Sequence, residues 1–280
     1  MRPRYTILFV FFVVLGCRGE APSASQPSES AQRVVALAPN LAEIVAYAGG
    51  ADRLVARTRF TDYPPELLDL PDLGNAFEPD IEGLAAVRPD LVLMLDGWRD
   101  GPMAGTVTRL SARVRFLRVE TVDEICTAVE VVGEDMGLPG AAAQAVVLRC
   151  GREALNAAPR LDLRVLMLNG RRPLIAAGPG SWGDTVIRLA GARNALGADT
   201  ARYPTLDHET IIDLDPDVVV DTSGYQGGPG AVNWSDLSGV RAVREGHAFA
   251  LADPSLLRPG PRFPEAAALL REALTNGDAP

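Results

Sequence analysis

Apolar and polar positions along this chain follow two rhythms. Unbroken apolar runs, LVLML at 91–95 and VVV at 218–220, read as strands buried on both faces, which implies parallel sheet covered by helices. Ahead of each run apolar residues recur at helical spacing, with Ile81, Leu84 and Val87 in one place and Ile211 and Leu214 in the other. The two stretches are copies of each other, DIEGLAAVRPDLVL (80–93) and DHETIIDLDPDVVV (207–220). One ungapped shift pairs Asp80 with Asp207, Glu82 with Glu209, Pro89 with Pro216 and Asp90 with Asp217. In both, the leading Asp is placed to cap a short helix, an acid follows in the first turn, and a Pro-Asp turn stops it. Each copy is predicted to be a helix-turn-strand piece of an α/β lobe, and the duplication predicts two similar lobes.

The remaining pattern fills those lobes. Strands are expected at 34–38, 54–58 and 114–119, with helices at 41–48 and near 102–112. A helical face of Ile125, Val129, Val132 and Met136 ends at Gly137. The segment 140–158 has no internal proline and reads as one long helix, a strut about 28 Å long at the usual rise per residue. After Pro159 the pattern restarts with strands at 164–169 and 174–177, a helix near 184–190, the second copied piece, a strand at 247–252 and a closing helix. The expected organisation is an N-terminal α/β lobe at 33–138, a linker helix at 139–160 and a C-terminal α/β lobe at 161–280.

The first residues belong to a different chemistry. Arg2 and Arg4 precede the apolar run TILFVFFVVL, which is shorter than the roughly 20 residues a spanning helix needs and fits a secretory signal over 1–16. Residues 18–32, RGEAPSASQPSESAQ, have the composition of a disordered tether. Cys126 and Cys150 fall inside helical patterns and read as two core thiols, with a disulfide between them as the open alternative.

Charge and composition exclude several function classes. A net charge of −9 argues against a nucleic-acid partner. Two histidines are too few for the usual zinc ligand set, and no cysteine cluster offers a metal site. Gly178-Pro179-Gly180-Ser181-Trp182-Gly183 matches GxGxxG between a strand and a helix, so an exported dinucleotide-dependent oxidoreductase is a remote alternative. Against it, Asp184 is expected to cap the helix, leaving Gly183 outside the helix and unable to pack it on the sheet. Pro179 breaks the G-x-S-x-G nucleophile elbow at Ser181, and nothing pairs a nucleophile with a base. No enzyme activity and no cofactor are expected.

The aromatics point to a ligand instead. Trp98, Trp182 and Trp234 all fall at loops, as do Phe60, Phe77 and Tyr203. In open α/β sheets the loops at strand carboxyl ends form the ligand crevice, where rings offer flat apolar surface with a polar handle.

Four stretches carry a resemblance: RVVALAPNLAEIVAYAGGADRLVARTRFTDYPPEL (33–67), LGN followed by the first copied piece, AAGPGSWGDTVIRLAGARNAL (176–196) and LLRPGPR (256–262). Together they resemble the solute-binding proteins of ABC importers for cobalamin, siderophores and haem, and FTDYPPE and LDGWRDG look most like the cobalamin-binding branch. The resemblance implies two Rossmann-like α/β lobes joined by a single long α-helix, with the ligand cleft between the lobes. It implies a corrinoid held by Phe60, Phe77, Trp98, Trp182, Tyr203 and Asp253, with haem or a ferric siderophore as the alternative. The branch carries tryptophans where Phe77 and Tyr203 stand here. It further implies that Glu82 and Glu209, one per lobe, dock arginines of an importer permease dimer with its ATPase subunits. VLGC resembles a lipobox, which makes Cys17 a lipidated N-terminus and the protein an exported, membrane-anchored lipoprotein of the periplasm or cell surface, held to the membrane by the lipid only.

Overall fold

The computed structural model describes residues 30–75, 77–110, 113–226 and 234–276. The signal segment 1–16, Cys17 and the tether up to residue 29 lie outside the described residues. The end of the expected tether is already bound to the fold: Ala31 is buried and its N–H donates to the Asp135 carbonyl at 2.9 Å.

The N-terminal half runs β1 (Val34–Ala36), α1 (Pro39–Tyr47), β2 (Leu54–Ala56), α2 (Ile81–Ala86), β3 (Leu91–Leu95), α3 (Pro102–Leu110), β4 (Val114–Leu117) and α4 (Val122–Met136). Its four strands pair in the order β2-β1-β3-β4, all parallel. Then come α5 (Ala141–Ala157), β5 (Arg164–Arg171), β6 (Leu174–Ala176), α6 (Trp182–Leu189), β7 (Arg193–Asn194) and β8 (Thr205–Leu206). The chain closes with α7 (His208–Leu214), β9 (Val218–Asp221), α8 (Arg241–Arg244), β10 (Ala248–Ala250) and α9 (Phe263–Asn276). The second sheet has the order β10-β9-β5-β6-β8, with β7 beside β5.

The second sheet is not wholly parallel, which corrects the sequence expectation. Only Arg172 and Pro173 separate β5 from β6, and a connection that short permits a hairpin but no crossover. β6 therefore runs antiparallel to β5, and β8 antiparallel to β6.

Both copied pieces take the predicted form. Asp80 accepts from the Gly83 N–H at the start of α2, and Asp207 accepts from the Thr210 N–H at the start of α7. The strands after them, β3 and β9, are buried on both faces. In β3, Leu91 and Leu93 face one apolar cluster while Val92 and Met94 face another with α2 and α3. In β5 and β9, Val165, Met167, Val218 and Val220 join the same first cluster, while Leu166, Leu168 and Val219 turn to α7 and α8.

That first cluster is continuous between the two halves. It includes Leu41 and Ile44 of α1, Val129 of α4, Ala145 and Leu148 of α5, Val186 and Ile187 of α6, and Phe263 and Leu270 of α9. The linker helix α5 thus packs along α4 and also touches α6 and α9. Its inward residues, Ala141, Ala145 and Leu148, recur at helical spacing. Cys150 falls off this stripe and is exposed, which corrects its reading as a core thiol; Cys126 is buried, and both are free.

Candidate functional site

Strands β1, β3 and β4 end toward the second half of the molecule, and the loops that leave them wall a shared cavity. From the first half come Asn40 after β1, Asp96, Gly97 and Trp98 after β3, and Leu117 to Glu120 at the end of β4. The facing wall is Trp182, Arg202, Tyr203 and Pro259. The cavity measures about 500 Å³, within the roughly 300–1,000 Å³ of small-molecule sites.

Of the six aromatics named from the sequence, Trp234 packs against the apolar cluster beneath α7 and α8 and does not line the cavity, and the other five divide into three groups. Trp98 and Tyr203 line the cavity, and Tyr203 keeps half its surface, 51%, in solvent. Trp182 also contributes to the wall but is only 3% exposed, because it begins α6 instead of lying in a loop and its indole N–H donates to the Ser255 carbonyl at 3.1 Å. Phe60 and Phe77 are exposed and do not line the cavity. Phe77, 75% exposed, leans on Trp98 with ring centroids 5.5 Å apart and planes at 52°. Asp253 caps a short 3-10 turn, accepting from the N–H and hydroxyl of Ser255, and does not line the cavity. Glu82 and Glu209 are both exposed in the first turns of α2 and α7.

The wall carrying Arg202 and Tyr203 is set by a close backbone approach. The Gly178 N–H donates to the Arg202 carbonyl at 2.9 Å, and a Cβ on Gly178 would lie 2.0 Å from the Ala201 carbonyl oxygen. Only glycine fits there.

Two features missed in the sequence link the halves. At the base of the cleft, Arg262 sets both fork nitrogens on Glu43, Nε to Oε2 at 2.9 Å and Nη2 to Oε1 at 2.8 Å. Beside it Arg258 reaches Asp62 at 2.6 Å, Glu43 at 3.6 Å and the Phe60 carbonyl at 2.7 Å. The Arg262 guanidinium also lies 4.2 Å above the Tyr63 ring. Burial works against the charge of Arg262, but the Glu43 carboxylate and the nearby Asp253 and Asp62 outweigh it and raise its pKa. The signal was present as Glu43 among apolar neighbours in α1, where Leu41, Ala42, Ile44 and Val45 are all buried. At the mouth, Arg202 Nη1 donates to Glu120 Oε2 across the cavity at 2.8 Å, and that bond raises the Arg202 pKa. Arg118 lies on the Glu120 side, 3.1 Å from Glu124.

The GxGxxG segment differs from its sequence reading. The cap of α6 is Ser181, whose hydroxyl accepts from the Asp184 N–H, and Asp184 lies inside the first turn. Gly183 does pack the helix on the sheet, since a Cβ there would meet Ala177 Cβ at 2.6 Å and Met167 Sδ at 2.8 Å. What opposes a dinucleotide is Asp184 itself. Its carboxylate accepts the Gly180 N–H at 3.1 Å and so holds an anion where a pyrophosphate would sit. Among the described residues no group of three or more His, Cys, Asp and Glu gathers to hold a metal ion, and no helix is long and apolar enough to cross a membrane.

Comparison with known proteins agrees with this architecture. Residues 34–254 match the family described as periplasmic binding protein. The vitamin B12-binding protein of Vibrio cholerae serotype O1 is 26% identical over 244 residues, 86% of this chain and 88% of that one. The crystal structure of the periplasmic vitamin B12 binding protein BtuF of Vibrio cholerae superposes with a TM-score of 0.74 at 25% identity, covering 88% of this chain and 98% of that one. The periplasmic heme-binding protein BhuT, in complex with two hemes, superposes with a TM-score of 0.73 at 27% identity, covering 89% and 99%. The chain belongs to the periplasmic binding protein family, whose members capture solutes for ABC import and are not enzymes.

Proposed function

We propose that this protein captures a corrinoid of the cobalamin type in the cleft between its two α/β halves and hands it to an ABC importer. The observation that carries the reading is the shared cavity itself, walled by Trp98 from one half and by Tyr203 and Trp182 from the other. Rings on both walls of a cavity of about 500 Å³ suit a large planar macrocycle. Relatives called vitamin B12-binding proteins across most of the chain's length support the same ligand. The handover reading rests on Glu82 and Glu209, exposed at matched positions of the two copied pieces, where they suit contact with basic residues of a permease dimer. The lipobox-like VLGC supports lipidation at Cys17, which would tether the exported protein to its membrane by lipid alone.

Titrating the purified protein with cyanocobalamin, hemin and a ferric chelate, with tryptophan emission as readout, tests the ligand. Cyanocobalamin is expected to quench in proportion to one site per chain, with Trp98 and Trp182 on the cavity wall as the reporters. No quenching by cyanocobalamin contradicts the corrinoid reading. Haem is the second reading, favoured by the half-exposed Tyr203 phenol on the cavity wall and by the similarity to BhuT; tight binding of hemin alone would establish it. A variant with Glu82→Ala and Glu209→Ala is expected to bind ligand unchanged and to fail in transport.

A further inference from the structure

Arg202 and Arg262 both bridge the two halves to a glutamate, but they use their guanidinium groups differently. Arg262 sets Nε and Nη2 on two carboxylate oxygens, the bidentate arrangement that satisfies that edge of the fork. Arg202 reaches Glu120 with Nη1 alone, and its Nε is buried without a hydrogen-bond partner. A buried donor left unmade is costly, so this arrangement is not the best available to the side chain. The backbone that carries it is held by Gly178, so only the side chain has freedom to change partner.

The pair is also inexpensive to open. Glu120 and Arg202 keep 56% and 40% of their side chains in solvent, and ion pairs so exposed contribute little. Both residues line the cavity beside Tyr203, and Arg118 lies on the opposite wall. The rings can take the face of a planar ligand, while the arginines stand where its edge would fall. We propose that Arg202 releases Glu120 and turns its Nε edge onto an anionic substituent at the rim of the bound macrocycle, a phosphodiester or a carboxylate. Glu120 holds the guanidinium in place until that group arrives. The inference rests on the cleft being the macrocycle site.

Two matched probe pairs test it. Cyanocobalamin carries a phosphodiester that dicyanocobinamide lacks, and hemin carries carboxylates that hemin dimethyl ester lacks. Each is titrated into wild type, Arg202→Gln and Glu120→Gln, with thermal unfolding followed in parallel to confirm that the variants fold. Arg202→Gln is expected to weaken the member that carries the anionic group, in whichever pair binds, by about tenfold, the size of one charge-assisted hydrogen bond, and to leave the member that lacks it unchanged. Glu120→Gln is expected to tighten the member that carries the anionic group a few-fold, because the competing carboxylate is gone. Which pair responds distinguishes phosphodiester from carboxylate. Equal weakening of both members, or no change in either, overturns the inference and leaves the cleft reading standing. Failure of all four probes to bind wild type overturns both.

Discussion

The base and the mouth of the cleft are bridged by the same kind of pair, an arginine from one half on a glutamate from the other, yet the two bridges differ in physical consequence. At the base, Glu43 and Arg262 keep 3% and 16% of their side chains exposed, and two parallel hydrogen bonds join them. At the mouth the pair is half in water and joined by one bond. Burial makes the first bridge hard to break, since a lone charge left behind has nowhere to be solvated. Exposure makes the second easy to break, since water replaces the lost partner. The apolar cluster shared by α1, α4, α5, α6 and α9 lies with the first bridge, so the halves are expected to behave as one body at the base, with movement left to side chains and loops at the mouth.

The largest test of this contrast is Glu43→Gln. It leaves the Arg262 charge buried without its carboxylate and is expected to cost about 3 kcal/mol or more in chemical denaturation. Gly178→Ala comes next. The new methyl group collides with the Ala201 carbonyl, so a loss of about 1–3 kcal/mol is expected. A displaced Arg202 and Tyr203 would also weaken ligand binding in the same preparation. Glu120→Gln is the smallest in stability, below about 1 kcal/mol by the same denaturation assay. A cost at the mouth equal to that at the base would erase the distinction. Small-angle scattering with and without cyanocobalamin is expected to show little compaction, and a large one would mean that the base is a hinge.

Legibility in the sequence followed the range of the interactions. The caps at Asp80 and Asp207 act over three residues, and β3 and β9 announce themselves as unbroken apolar runs, so both copied pieces were readable. Ser181 and Asp184 are both good capping residues three apart, and pattern alone favoured the wrong one; the hydroxyl bond to the Asp184 N–H decides it. The antiparallel β6 was missed, because β5 runs on to Arg171 and leaves only a two-residue turn, where the apolar pattern ends the strand at 169. Cys150 was misassigned because the inward stripe of α5 takes its phase from α4, α6 and α9, which the segment does not encode. The base bridge joins residues 219 positions apart, and Phe60, Phe77 and Asp253 lie in connections between elements without lining the cavity. Such placements depend on how the two halves meet, which no local spacing carries.

The claim on which all this depends is that a ring ligand sits between Trp98 and Tyr203. Calorimetric titration of cyanocobalamin and hemin into wild type and a Trp98→Ala, Tyr203→Ala variant measures it directly. Both rings are partly exposed, so the variant is expected to fold. One ligand per wild-type chain, with affinity lost by at least tenfold in the variant, is the predicted result. Equal binding by both proteins, or none by wild type, would contradict it.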